Sequence, residues 1–434
     1  MKALFNREAI SFNLRYLVLC VLAGVGSALF SLATDKAYTW CMDAFHLFGY
    51  MILVYIPAIF ILIVHLLKNY FPYAGGSGLP QGYALDVFEE DTLKHTYSIP
   101  TMIGKVGLTF LSILGGASLG REGPTIQICA SIFASMRNIS ERKRKLLIQI
   151  GSGVGVATAF NAPLGGIVFA IEEYIKHSNT RMNILLLSGI AIAGYFMTVV
   201  SGDYSYMGNI NVDSLYYSMD GVLLALIGGI VCGLTGALFT YLIVRVSVNH
   251  DTWFCNFRKK HYLWCAGIFG FFVALIGIYS HGLSFGNGAP TVKGFLNDNA
   301  QAPVDFALYK ALGAISSVAA GVPGGYFSTA LSIGAGVMTP FHDLFHSIPM
   351  QQLYLIGMVG FLAAITNAPI TAVVMVMSIV SDTQHFALPL ILSSVLGSYI
   401  ASLFGESVYH QQILIYVDKE KYQILKNKES HLVE

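Results

Sequence analysis

Eight stretches of the chain, residues 16–34, 49–67, 183–202, 221–244, 262–292, 311–341, 344–381 and 383–405, contain no Asp, Glu, Lys or Arg. Crossing the roughly 30 Å hydrocarbon layer of a bilayer takes about 20 helical residues, so stretches of this length belong in a membrane. Only 11% of the 434 residues are charged, against about 25% in soluble domains, and 55% are hydrophobic. The period-2 alternation of a barrel strand is absent, which predicts an all-α polytopic membrane protein with ten or more helical segments. Several of the stretches exceed a single crossing and must be bent, broken or re-entrant.

The net charge of +1 gives no reason to expect a nucleic-acid partner. Basic residues cluster in short loops, Arg137 with Arg142 to Lys145 and then Arg258 to Lys260, and the positive-inside rule predicts that these face the cytoplasm. Lys2, Arg7 and Arg15 put the N-terminus on the same side. The apolar run from Tyr16 to Thr34 is followed by Asp35 and Lys36 and is read as a retained helix, not a leader. Six scattered cysteines without a CxxC pair predict buried small hydrophobes, with no disulfide and no metal site.

The chain repeats itself once. Phe160-Asn161-Ala162-Pro163-Leu164-Gly165 matches Thr366-Asn367-Ala368-Pro369-Ile370-Thr371 at an offset of 206, and the segment from Gly120 matches that from Gly325 at 205. The expected organisation is one transmembrane domain over 1–434, with repeats of about 15–205 and 220–420, a polar link over 203–220 and a short charged tail over 421–434. Repeats with Gly/Pro-interrupted apolar segments at matching places point to a transporter with its binding site near the bilayer midplane.

Four Gly/Pro clusters interrupt apolar segments: Gly75 to Pro80, Gly120 to Pro124, Asn161 to Pro163, and Gly321 to Gly325. An apolar helical stretch follows each, and Pro suits a first helical turn, so these read as helix N-termini at membrane depth. Such ends carry about half a positive charge and unpaired N–H donors, which an anion satisfies. Each cluster alone fits a surface turn or tight helix packing equally well; the matching between repeats favours the ion-binding reading.

Glu122 sits between glycines in an otherwise uncharged run, Glu172 and Glu173 close an apolar segment, and Lys105 precedes Glu122 by seventeen residues. A charge at the bilayer centre costs about 2.5–3.5 kcal/mol on insertion scales and usually marks an ion or proton pathway. Glu172 and Glu173 also fit an interfacial helix end, and Lys105 either snorkels or pairs with a carboxylate.

At these residues the chain resembles the CLC family of chloride channels and chloride/proton antiporters, bacterial type. Gly76-Ser77-Gly78-Leu79-Pro80 is similar to the family's GSGIP motif and Gly120-Arg121-Glu122-Gly123-Pro124 to GREGP. Phe160 to Glu173 resembles the segment with the inner proton glutamate, Pro323 to Thr329 resembles GGIFAP, and Val408-Tyr409 falls where a late helix brings in a tyrosine. The resemblance implies two inverted-topology repeats whose broken helices meet at a midplane anion site. It implies a homodimer with one pore per subunit, in the cytoplasmic membrane, carrying chloride and protons without a cofactor.

In that picture Ser77, Tyr409 and the backbone N–H groups of Tyr326 and Phe327 bind the anion. Glu122 is the protonatable gate, Glu173 takes protons from the cytoplasm, and Gly76, Gly78, Pro80, Gly120, Arg121, Gly123, Pro124 and Lys105 support the pore. The chain departs from the family at Tyr326, Ser328 and Thr329, where Ile, Ala and Pro are usual, and at Tyr83, where many bacterial relatives carry a glutamate.

A passive anion channel is the runner-up, with fluoride as a variant cargo. An intramembrane metalloenzyme is the distant alternative. It rests on His342-Asp343-Leu344-Phe345-His346, whose i, i+4 spacing puts two histidines on one face if the segment is helical, although the glutamate of HExxH and a third ligand are missing.

Overall fold

The computed structural model describes residues 7–174, 180–202, 205–208, 210, 219–248, 253–298, 301–381, 383, 386–418 and 420–423. Among the described residues there are nineteen α-helices and no strand. The first nine are α1 (Arg7–Phe48), α2 (Ile52–Asn69), α3 (Leu79–Tyr83), α4 (Glu90–Thr96), α5 (Ile99–Leu114), α6 (Glu122–Ala134), α7 (Glu141–Ala159), α8 (Pro163–Phe169) and α9 (Thr180–Ser201). The second half holds α10 (Met219–Ser247), α11 (Trp253–Lys260), α12 (Tyr262–Tyr279), α13 (Ala289–Asn297), α14 (Phe306–Ala320), α15 (Phe327–Met338), α16 (Met350–Thr366), α17 (Pro369–Ile379), α18 (Ala387–Ser402) and α19 (Val408–Gln412).

The long uncharged stretches break as their length requires. Residues 262–292 divide between α12 and α13, 311–341 between α14 and α15, and 344–381 between α16 and α17. At the last of these breaks Asn367 takes the left-handed conformation (φ 57°), as Asn161 does between α7 and α8 (φ 50°). Asparagine tolerates that region better than most residues, so one sequence signal makes the same turn twice. Among the described residues four segments are long and apolar enough to cross a membrane outright, and α4 with α5 adds a fifth bent by 45°.

All seventeen residues of α16 are buried, so an apolar helix with no polar face forms the centre. α6 packs on α7, α15 on α16, and α10 and α16 both on α18. Large apolar side chains such as Val54, Tyr241, Trp264 and Tyr399 stand exposed on the periphery, where lipid covers them at no cost. The six cysteines are free and buried.

Two connecting segments are tied back into the protein. Part of the stretch 203–220 lies outside the described residues, but 205–208 packs into the protein. Tyr206 and Met207 are buried, and Met207 N donates to Ile379 O at 2.9 Å while Ser381 N donates to Gly208 O at 3.2 Å. At the start of the charged tail Lys421 Nζ donates to Glu89 Oε1 at 2.6 Å and the Tyr422 hydroxyl to Glu406. That hydrogen bond from Lys421 holds the exposed Glu89 carboxyl below the usual carboxylate range. Residues 424–434 lie outside the described set.

Candidate functional site

Three of the predicted helix starts converge. Gly78 takes φ 103° immediately before α3, a conformation that glycine adopts without strain. A Cβ there would sit 2.4 Å from Gly123 O, and one on Gly123 would sit 2.4 Å from Ser77 O, so the starts of α3 and α6 touch backbone to backbone. Gly120 and Gly325 then pair antiparallel, N–H to carbonyl in both directions at 2.6 and 2.8 Å, which fixes the start of α6 against that of α15.

Two hydroxyls are enclosed at this junction. Ser77 Oγ and the Tyr409 hydroxyl are buried and have no hydrogen-bond partner. Ser77 lies beside the Tyr326 hydroxyl, but that group donates to Gln412 Oε1. The Tyr326 and Tyr409 rings stack at 5.2 Å with 7° between planes. Leaving a buried hydroxyl unpaired costs about 1–3 kcal/mol. Two such groups beside the starts of α6 and α15, whose first-turn N–H groups have no intrahelical partner, form a donor set suited to a small anion.

Lys105 neither snorkels nor pairs with a carboxylate. It is fully buried, and its Nζ donates to Gly75 O at 2.9 Å and Gly76 O at 2.8 Å, so it braces the turn that presents Ser77. Arg121 faces away from this turn, bonding Ser31 O at 2.9 Å and the partly exposed Asp35 carboxylate, and so ties α6 to α1.

Glu122 is fully buried. Its Oε1 accepts from the Tyr206 hydroxyl at 2.5 Å and from Asn287 Nδ2 at 2.9 Å, while Oε2 has no partner. Gly120 makes room for that second oxygen: a Cβ at this position would lie 2.0 Å from it.

At the other end Glu172 and Glu173 separate into different roles. They sit in a widened π-turn, residues 170–174, which closes α8. Glu172 accepts from the backbone N–H of Ile370 at 3.2 Å and Thr371 at 2.6 Å, capping α17, while Glu173 turns inward at 8% exposure. Tyr83 donates to Glu173 Oε2 at 2.5 Å, and its ring lies 4.5 Å from that of His410. The departure at Tyr83 thus replaces a carboxylate with a donor to one.

The other departures are also taken up. Ser328 Oγ lies 3.2 Å from the Tyr206 hydroxyl, and Thr329 Oγ1 donates to Ser118 O at 3.4 Å. Phe327 packs its ring 5.0 Å from Phe160 and 6.3 Å from Phe169.

Sequence reasoning missed Tyr206, Asn287, His410 and Lys310. A signal existed for two of them. Gly286-Asn287-Gly288-Ala289-Pro290 repeats Gly76-Ser77-Gly78-Leu79-Pro80 at 210 residues, and Lys310 follows Lys105 at 205, the offset already seen at Gly120 and Gly325. Tyr206 gave no such signal, since it stands in a polar stretch with no counterpart.

His342, Asp343 and His346 do come together, with ligand atoms within 4.8 Å of one another. They lie on a short 3-10 turn and the loop after it, not on one α-helix face, and are largely solvent-facing. α15 separates them from the junction by twelve residues, about 18 Å of helix. They have no part in the buried site.

Interrupted helices whose starts meet at a buried polar centre define the architecture of multi-pass channels and secondary transporters. The chain belongs to the family described as voltage gated chloride channel, whose model matches residues 58–402. It is 26% identical over 437 residues to the H(+)/Cl(-) exchange transporter ClcA of Citrobacter koseri, covering 92% of this chain and 88% of that one. Against the ClcA exchanger of Vibrio cholerae it is 27% identical over 382 residues, covering 84% and 79%. The fold is also that of a slow cyanobacterial Cl-/H+ antiporter, at TM-score 0.77 and 23% identity over 96% of this chain and 99% of that one. A CLC-type fluoride/proton antiporter superposes equally well, at TM-score 0.77 and 18% identity over 93% and 98%.

Proposed function

We propose that this protein exchanges chloride for protons across the cytoplasmic membrane. The observation that carries the proposal is the pair of buried, unpartnered hydroxyls, Ser77 Oγ and Tyr409 OH, at the foot of a helix whose first residue is the buried Glu122. A chloride there accepts from both hydroxyls and from the first-turn N–H groups of Tyr326 and Phe327. An anionic Glu122 carboxylate competes for the same positive field at the helix starts, and protonation removes that competition. One proton therefore moves with each release of the gate.

Glu173, held by Tyr83, hands protons to the site from the other face. The basic loop at Arg137 and Arg142 to Lys145 supports placing that face, and the N-terminus, in the cytoplasm. The recurrence of α5 to α9 as α14 to α18 supports reading 15–205 and 220–420 as inverted repeats. The resemblance to the family further implies a homodimer with a pore in each subunit.

The test is chloride efflux from proteoliposomes with an external pH electrode. Wild type is expected to draw protons inward as chloride leaves. Glu122→Gln is expected to pass chloride with no proton movement, and Glu173→Ala to lose proton movement while keeping anion flux. Chloride efflux without protons in wild type would make the protein a passive channel; proton pumping that persists in Glu173→Ala would remove that residue from the pathway.

A further inference from the structure

Three groups without an assigned role gather at the Glu122 carboxyl and the Tyr206 hydroxyl bonded to it. Asn287 comes from the turn before α13, Tyr206 from the stretch between α9 and α10, and Ser328 from the first turn of α15. Asn287 Oδ1 accepts from Ala289 N at 3.1 Å, which fixes the amide so that its Nδ2 points at the carboxyl. The two Nδ2 protons then divide between Glu122 Oε1 at 2.9 Å and the Tyr206 oxygen at 2.8 Å. With its oxygen receiving from Asn287, the Tyr206 hydroxyl is turned to donate to Oε1. The Tyr206 ring is held in place by Phe160 at 5.3 Å and by the Arg121 guanidinium at 5.6 Å.

Both donors meet the same oxygen. Hydrogen bonds to a carboxylate stabilise its charged form, and charge-assisted bonds are about twice as strong as neutral ones. Oε2, without a partner and seated against Gly120, is left as the oxygen that takes the proton. Asn287 also lines a small cleft shared with Thr34, Asp35, Tyr38 and Arg121, and the Asp35 side chain in it is 61% exposed. Solvent thus comes within a few side chains of the carboxyl.

We infer that Tyr206 and Asn287 form a latch that holds Glu122 in the occluding position as a carboxylate and sets the pH at which the gate releases. Both act as positioning residues for the proton-carrying group, and the inference rests on the exchange function proposed above. Among the described residues, the other charged or titratable groups around this carboxyl are few. They are Arg121 with its partner Asp35, Tyr409 across the junction, and Lys310, whose Nζ bonds Gly286 O at 2.7 Å directly behind Asn287.

Tyr206→Phe removes one donor and keeps the ring that Phe160 and Arg121 pack on. Asn287→Ser removes the other and installs the residue that the matching turn already carries at Ser77. Both variants are purified full-length, and the Glu122 carboxyl is titrated by infrared difference spectroscopy, using Glu122→Gln to assign its band. Each variant is expected to raise the titration midpoint by about one pH unit, the tenfold change that loss of a bond to a charged group produces. Tyr206→Phe is also expected to move the protonated carbonyl stretch to higher frequency. In proteoliposomes the pH at half-maximal chloride flux should rise by the same amount, and neither variant should add a shift in the Glu122→Gln background.

An unchanged carboxyl midpoint in both variants overturns the latch, as does a flux shift that survives in Glu122→Gln. The infrared titration needs no coupled transport. A wild type that moves chloride without protons therefore defeats the exchange reading, while the latch still stands or falls on its own band.

Discussion

The turns at Gly76-Ser77-Gly78 and Gly286-Asn287-Gly288 are nearly the same object built twice. Their first glycines take φ 68° and 62°, their second glycines 103° and 80°, and each leads through a proline into a helix. A buried lysine braces each from behind: Lys105 bonds two carbonyls of the first turn, and Lys310 bonds Ser284, Phe285 and Gly286 of the second. Only the central residue changes its chemistry. Ser77 Oγ reaches no protein partner, whereas the Asn287 amide is committed at both ends, to Ala289 N and to Glu122 with Tyr206. One scaffold thus presents a donor to an exchangeable ligand in one half and a donor to the chain's own carboxylate in the other.

That comparison breaks most severely at Gly78→Ala. The backbone conformation is unfavourable to alanine, and the new Cβ would lie 2.4 Å from the immobile Gly123 carbonyl oxygen. A loss exceeding about 3 kcal/mol is expected, seen as failure to recover folded protein in detergent. Lys310→Met comes next and Lys105→Met after it. Each removed ammonium leaves its carbonyls buried at about 1–3 kcal/mol apiece, so three lost bonds should lower the melting temperature more than two. Gly288→Ala should be milder than Gly78→Ala, because the atoms its Cβ would meet, Ser332 Oγ at 2.5 Å, Ser332 Cβ at 2.7 Å and Lys310 Cε at 2.9 Å, belong to side chains and not to the backbone. Equal melting temperatures for the two alanine variants would contradict the asymmetry.

The smallest loss of stability is expected at Ser77→Ala, where the melting temperature should hold or rise, since the hydroxyl it removes is buried without a hydrogen-bond partner. Its effect belongs to function: discrimination between chloride and nitrate, read from reversal potentials in planar bilayers, should fall. A variant with normal selectivity would remove Ser77 from the anion site.

The parts of this protein that were legible in its sequence are those dictated by local chemistry. Uncharged length predicted the membrane helices and their breaks. Glycine, proline and asparagine predicted the helix starts at Leu79, Glu122, Pro163 and Phe327, because those residues act on the backbone where they stand. The partners of the buried charges were not legible, because they are set by packing between distant segments. Lys105 meets carbonyls thirty residues away, Glu122 meets Asn287 at a separation of 165, and Tyr83 reaches Glu173 at 90. Glu172 and Glu173 are adjacent in sequence, yet only the π-turn separates the helix cap from the inward carboxylate. The repeat carries a signal for Asn287 and Lys310, 210 and 205 residues after Ser77 and Lys105, whereas Tyr206 has no counterpart in the other half.

The division of labour between the two turns requires an anion at Ser77 and none at Asn287. Bromide in place of chloride, located by anomalous diffraction in crystals of Glu122→Gln, tests this directly. The result expected is a bromide peak within hydrogen-bond reach of both Ser77 Oγ and Tyr409 OH. A lattice soaked in bromide with no ordered ion there, or with its ion beside Asn287 instead, would contradict the division of labour between the two turns.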